Sequence, residues 1–212
     1  MKIRLLIADD HSIVRGGLKQ IFKLQSNIEV TGEAGNGEQV LQLVREKDFD
    51  LLLLDMTMDG LSGVDLIRRV KNLKAALPIL VLSMHNVSQL AFHAIKAGAN
   101  GYITKGSEPE NLLAAIHKVA GGGRYIDPML TEELAFNSTL SKDDRPPHNL
   151  LSGRELEVFR LLATGKHNND ISQQLFISDK TVSTYKTRIM EKMKFANMTD
   201  LVRYAVEHNI IE

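Results

Sequence analysis

The chain contains no cysteine in its 212 residues. That excludes a disulfide scaffold, a thiolate zinc site and a cysteine nucleophile, and it suits a reducing compartment. It carries no excess of charge of either sign, since 26 Lys and Arg stand against 26 Asp and Glu. A uniformly basic coat for nucleic acid is thereby excluded, whereas a local basic face is not. No apolar run approaches the ~18 residues of a membrane span. The opening ten residues, Met1 to Asp10, are too short in their apolar part for a signal peptide. These absences lead us to expect a cytoplasmic protein with no membrane contact. What is present is ordinary globular composition, 43% hydrophobic and 25% charged. The length suits one large domain or two small ones.

Proline is scarce as well, and its placement divides the chain. Of five prolines, Pro128, Pro146 and Pro147 fall close together, after Gly121-Gly122-Gly123 and around the polar run Ser141 to Arg145. Such segments resist packing, so 121–148 is expected to be a linker between domains at 1–120 and 149–212. A short helix at 131–140, capped by Thr131, could sit inside it.

Before the linker, apolar runs at 3–8, 28–34, 50–54, 79–83 and 101–103 alternate with amphipathic stretches near 12–24, 37–46, 63–75, 87–97 and 108–120. The runs Leu51 to Leu54 and Ile79 to Leu82 are apolar on both parities, as in a parallel strand buried on both faces. Five strand–helix units predict a doubly wound α/β domain with a five-stranded parallel sheet. After the linker no strand signal remains. Helices are expected near 152–164, 168–175, 179–194 and 198–209. Gly165 would stop the first, Ser178 would cap the third, and Thr199 or Asn197 the fourth. The turn Phe176-Ile177-Ser178 gives the middle pair helix-turn-helix spacing, in an all-α domain of four helices.

Ligands of open parallel sheets bind beyond the carboxyl ends of the strands, where the strand order reverses. Asp9 and Asp10 follow the first run and Asp55 the third. In the common order 2-1-3-4-5 these carboxylates converge. Their mutual repulsion would be relieved by a divalent cation, and hard oxygen donors suit Mg²⁺. One carboxylate could then act as a nucleophile toward phosphorus. Ser83 and Lys105 follow the fourth and fifth runs and could hold phosphoryl oxygens. An Asp after a strand also serves as a helix cap, which is the plainer reading of Asp10. Tyr102 reads equally as a half-buried strand aromatic. The seven histidines show no metal-ligand spacing.

These residues occur in runs that resemble a two-component receiver domain: Ile7-Ala8-Asp9-Asp10-His11, Leu53-Leu54-Asp55-Met56-Thr57-Met58, Val81-Leu82-Ser83 and Gly101-Tyr102-Ile103-Thr104-Lys105. The resemblance implies that Asp55 accepts a phosphoryl group from a sensor histidine kinase. It also implies that Asp9, Asp10, Asp55 and the backbone carbonyl of Thr57 hold Mg²⁺. Ser83 and Lys105 would contact the phosphoryl oxygens, and Tyr102 would turn inward as a switch. One departure is Asp59, where the family usually has proline.

The last 64 residues are nearly neutral, but 180–194 carries Lys180, Lys186, Arg188, Lys192 and Lys194 against Glu191 alone. This run is the expected phosphate-seeking element. Val182, Tyr185, Ile189 and Met193 form its apolar stripe. Lys180, Ser183, Thr184, Thr187 and Arg188 fall on or beside the other side, with Thr181 and Lys186 completing the candidate DNA-contact set. A solvated face would explain the lysines. It explains less well the Ser and Thr, which are mediocre helix formers. The runs Leu151-Ser152-Gly153-Arg154-Glu155-Leu156-Glu157-Val158, Leu162-Ala163-Thr164-Gly165, Asn169-Asp170-Ile171 and Ile177 to Tyr185 resemble the LuxR-type helix-turn-helix. With both matches the chain resembles response regulators of the NarL/FixJ subfamily. The resemblance implies a regulator that is not an enzyme. It would form a homodimer on activation, bind two half-sites of double-stranded DNA and have room for a contact with RNA polymerase. The stripe Leu201, Val202 and Ala205 could serve the dimer or only the core. Two rivals remain open: a phosphatase or transferase using Asp55, and a DNA-binding protein active without phosphate.

Overall fold

The computed structural model describes residues 2–58, 61, 63–84, 88–128, 130, 131, 146–175, 177–208, 210 and 211, without the side chains of Ser88, Gln89 and Asn149. Asp59, Phe176 and all of the expected helix at 131–140 except Thr131 lie outside these residues. The chain divides into two compact units, 1–133 and 134–212.

The first unit alternates strand and helix: β1 (Ile3–Ala8), α1 (Ser12–Lys23), β2 (Ile28–Ala34), α2 (Gly37–Glu46), β3 (Leu51–Asp55), α3 (Gly63–Leu73), β4 (Ile79–Ser83), α4 (Ser88–Lys96), β5 (Gly101–Thr104), α5 (Pro109–Ala120) and β6 (Tyr125–Ile126). All pairings are parallel, in the order β2-β1-β3-β4-β5-β6. Every residue of β3 and β4 is buried, because helices cover both faces of a parallel sheet. One such face packs Leu5, Ile7, Leu51, Leu53, Leu80 and Leu82 against Phe22 of α1 and Ile116 and Val119 of α5.

The sheet corrects the five-stranded expectation. Gly101 and Tyr102 pair with Tyr125 and Ile126, so part of the segment read as linker belongs to the sheet. Two residues after three glycines are too short a run to show a period of two, which is why β6 left no sequence signal.

Among the described residues, the second unit runs from a 3₁₀ turn (Pro147–Leu150) through α6 (Gly153–Ala163), α7 (Asn168–Leu175), α8 (Asp179–Met193) and α9 (Met198–Glu207). Ser152 and Glu155 make a reciprocal capping box at the start of α6. Gly165, at φ +82°, ends α6, and the Lys166 N–H bonds back to the Leu161 carbonyl at 3.1 Å. Ser178 caps α8 by accepting from Thr181 N–H. Asn197, and not Thr199, caps α9. Leu201 and Ala205 are fully buried while Val202 and Val206 are 37% and 54% exposed. The apolar stripe of α9 thus divides into core and surface.

Lys194 ends α8 at φ 55°, the left-handed region. A side chain there is strained, and glycine is not. Lys194→Gly is therefore expected to stabilise the second unit by about 1 kcal/mol, read as a rise in denaturant midpoint at unchanged m.

Candidate functional site

Ala8 of β1 pairs with Leu54 of β3, so Asp9 and Asp55 emerge side by side at the carboxyl end of the sheet. Both are 1% exposed. Lys105, one residue past β5, reaches across to both: its Nζ lies 2.7 Å from Asp9 Oδ2 and 2.9 Å from Asp55 Oδ2. The lysine side chain is itself only 10% exposed. Its backbone N–H donates to the Ser83 carbonyl at 2.7 Å, which fixes Ser83, fully buried, beside it. Thr57 donates to Asp55 Oδ1 from its N–H at 3.2 Å and from its hydroxyl at 3.3 Å.

The electrostatics follow from burial and pairing. Burial pushes the Asp55 carboxyl above its usual range, and the bond from Lys105 reverses only part of that rise. Burial draws the Lys105 ammonium down, but its bonds to Asp9 and Asp55 outweigh this and leave it raised. Lys105 is thus held charged between two buried carboxylates.

Asp9, Asp10, His11 and Asp55 offer donor atoms within 4.8 Å of one another. Three carboxylates meeting one ammonium leave an excess of negative charge. Their hard oxygen atoms fit a divalent cation such as Mg²⁺. His11 was not singled out from sequence. Its Nδ1 lies 2.7 Å from Asp10 Oδ1 and 3.3 Å from Asp9 Oδ1, and the backbone N–H of His11 donates to Asp9 Oδ1 at 2.8 Å. Its position directly after the acidic pair, at the start of α1, was the available signal. Arg15, also missed, donates from Nη1 to the Asp9 carbonyl at 2.6 Å. Tyr102 is fully buried in β5, not half-buried as the plain strand reading had it.

The structure brings Asp9, Asp10, Asp55, Thr57, Ser83 and Lys105 to one end of the first unit. The DNA-contact candidates lie in the second unit, on α8. Lys180, Ser183, Thr184, Thr187 and Arg188 are exposed, and Thr181 and Lys186 are half-buried. Val182, Ile189 and Met193 are buried, with Tyr185 half-buried.

Two details modify the sequence argument. The hydroxyls are already engaged: Thr184 donates to the Lys180 carbonyl at 2.9 Å and Thr187 to the Ser183 carbonyl at 3.1 Å. Thr181 meets Ser178 Oγ at 2.8 Å, and Ser183 Oγ accepts from Asn168 at 3.1 Å. Local bonding of this kind accommodates Ser and Thr on a helix without an outside partner. Lys192, counted among the phosphate-seeking cations, is instead an ion-pair partner. Its Nζ lies 2.7 Å from Oε2 of the buried Glu155, which also accepts the Ser152 N–H. Burial raises the Glu155 carboxyl, but the bonds from Lys192 and Ser152 outweigh that and hold it below its usual range.

Comparison with known proteins agrees with this geometry. The family of response regulator receiver domains matches residues 5–117, and the luxR family of bacterial regulatory proteins matches 149–205. The response regulator UvrY of Escherichia coli (strain K12) is 33% identical over 98% of this chain and 95% of its own. The oxygen regulatory protein NreC of Staphylococcus epidermidis is 37% identical over 99% of this chain and all of its own. The RcsB response regulator of Salmonella typhimurium, in a structure described by its conformational dynamism for DNA interaction, superposes with a TM-score of 0.78. It is 26% identical over 97% of this chain and 98% of that one. RcsB bound to the promoter rprA in the presence of phosphomimetic BeF3- gives 0.70, at 28% identity over 96% of this chain and 98% of that one. Two units, each with its own matched family and joined in the same order as in these relatives, place the chain among the NarL/FixJ-type response regulators, a receiver domain followed by a LuxR-type helix-turn-helix domain.

Proposed function

We propose that this chain is a transcription regulator switched by a phosphoryl group on Asp55. The observation that carries the reading is the Asp55 carboxylate, buried at the end of the central strand with the Lys105 ammonium 2.9 Å from its Oδ2. A carboxylate oxygen of Asp55 attacks the phosphorus carried on an imidazole of a sensor histidine kinase. The O–P bond forms as the N–P bond breaks, and the electron pair leaves with the imidazole. Lys105 and Ser83 then contact the phosphoryl oxygens, and Lys105 compensates the added charge. Tyr102, fully buried in β5, is the switch aromatic. Asp9, Asp10, Asp55 and the Thr57 carbonyl would hold Mg²⁺, which when bound screens charge on the phosphoryl oxygens.

The loaded receiver forms a homodimer and places two helix-turn-helix domains on two half-sites. The exposed Val202 and Val206 of α9 suit the contact between DNA-binding domains. Lys180, Thr181, Ser183, Thr184, Lys186, Thr187 and Arg188 meet the duplex, with the cations on phosphates and the hydroxyls near base edges. The regulator works in the cytoplasm. Among the described residues no helix is long and apolar enough to cross a membrane.

Intact mass after exposure to acetyl phosphate and Mg²⁺, followed by sizing, tests the reading. Wild type should gain one phosphoryl group and elute as a larger species, and Asp55→Asn should do neither. No gain in wild type would overturn it. On the DNA side, Arg188→Ala should weaken binding to all sequences and reduce the salt slope by about one. Lys192→Ala, whose ammonium is committed to Glu155, should leave the slope unchanged. Equal slopes for both variants in fluorescence anisotropy would contradict the assignment.

A further inference from the structure

Asp127 follows β6 and is 7% exposed. Its Oδ2 accepts from Thr104 Oγ1 at 3.1 Å and from Ser107 Oγ at 2.8 Å. The two hydroxyls meet each other at 2.8 Å, and Ser107 N–H donates to the Thr104 carbonyl at 3.1 Å. Residues 104–107 thus form a closed turn, gripped at both ends by one buried carboxylate. Lys105, whose ammonium meets Asp55, lies inside that turn.

The backbone of Asp127 faces two further ways. Its N–H donates to the carbonyl of Tyr102 at 3.0 Å. Its carbonyl accepts from Leu130 N–H at 2.9 Å and from Thr131 N–H and hydroxyl, each at 3.1 Å. Leu130 is fully buried. One residue therefore joins the turn that carries Lys105, the strand that carries Tyr102 and the helical turn that begins the connection toward the second unit. These bonds, 2.8 to 3.1 Å long and part-buried, converge on one residue, so the three pieces resist moving independently.

A phosphoryl group on Asp55 brings new oxygens to the Lys105 ammonium, which now meets Asp9 and Asp55. Where that re-pairing moves the backbone at Lys105, it moves the 104–107 turn, which is fastened to Asp127. We propose that Asp127 is a positioning residue: it sets the turn that presents Lys105, and through its backbone it passes the occupancy of Asp55 to Leu130 and Thr131. This rests on the phosphoryl-acceptor reading of Asp55. It adds a residue and a route that the reading itself does not contain.

The test uses the full chain, with acetyl phosphate and Mg²⁺ as the probe. Intact mass reports loading of Asp55, and amide hydrogen exchange reports residues 104–107, 130 and 131. In wild type, loading should change exchange at Leu130 and Thr131 by about fivefold or more, the lower end of site-to-site couplings. In Asp127→Ala, Asp55 should still load while that donor-dependent change disappears. Asp127→Asn, which keeps an accepting oxygen, should restore part of it. The pair Thr104→Val with Ser107→Ala removes the same bonds while leaving Asp127 in place, and it should behave like Asp127→Ala even if the latter fails to fold. A merely structural Asp127 would alter baseline exchange but preserve the donor-dependent difference, and that result would overturn the proposal. So would a wild type that loads with no change at 130 and 131. A wild type that does not load would instead remove the phosphoryl reading on which the proposal stands.

Discussion

Lys105→Ala is expected to lower the stability of the first unit by about 3 kcal/mol at pH 8 without divalent cations, as when one partner of a buried ion pair is removed. The lysine is the cation that faces both Asp9 and Asp55, each 1% exposed. Without it the two carboxylates are left buried at close range with Asp10 beside them. The sign follows from the directions of the shifts. Lys105 is raised in the folded chain, so its contribution is complete below its ordinary value of 10.5 and is lost as pH rises through the folded value. At pH 8 the whole effect is present. Asp55 is raised by burial, so acidification protonates it more readily in the folded chain and relieves the variant. Mg²⁺ should relieve it as well, by supplying the missing positive charge. Urea unfolding of both proteins at pH 8 and pH 5, with and without Mg²⁺, measures each part. A loss insensitive to both pH and Mg²⁺ would show that Lys105 acts through packing alone.

His148 should make the second unit sensitive to mild acid. Its Nδ1 lies 2.9 Å from the Tyr204 hydroxyl, and its ring stands 5.6 Å from that of His208 and 5.8 Å from that of Tyr204. Burial, with His208 adding a smaller push, lowers the imidazole from 6.5 to about 4. The unfolded chain then takes up this proton near pH 6.5 and the folded chain only near pH 4. The unfolded state therefore binds more protons between these values, and stability falls as pH is lowered through that window. The full separation would correspond to about 3 kcal/mol, and the ring's partial exposure reduces this to about 2 kcal/mol. Titration of the His148 ring protons by NMR should give a midpoint near the lower value, and His148→Gln should flatten the acid loss of stability. A midpoint near 6.5 would contradict the buried neutral imidazole.

Most element limits were legible in the sequence because β3 and β4 are apolar on both parities and the helices keep one buried stripe, whereas the strand order rested on what is common for such sheets. The limits of β1, β2 and β4 are those read from sequence alone. The acidic site was legible because its members fall at strand ends, where the fold must bring them together. Contacts that depend on reach were not legible. Nothing in the spacing shows that Lys105 spans both Asp9 and Asp55, that the His11 ring turns back on Asp10, or that Lys192 is taken by Glu155 some 37 positions away. β6 and Asp127 were hidden for a different reason. They lie in a glycine- and proline-marked segment whose composition reads as linker, and only pairing with β5 gives it order. The hydroxyls of α8 suggested an outside partner, but an i−4 carbonyl serves a Ser or Thr as well, and sequence does not distinguish the two.

Loading of Asp55 is held here to control DNA binding, and one titration addresses that most directly. A duplex enriched from a random pool by wild type in acetyl phosphate and Mg²⁺ is titrated, by fluorescence anisotropy at fixed salt, with wild type and with Asp55→Asn, each before and after exposure to the donor. Wild type should bind about tenfold or more tightly after loading, a coupling of about 1.4 kcal/mol. Asp55→Asn should bind equally weakly in both conditions. If wild type binds equally well with and without a phosphoryl group verified by mass, or if Asp55→Asn responds to the donor as wild type does, Asp55 is not the switch.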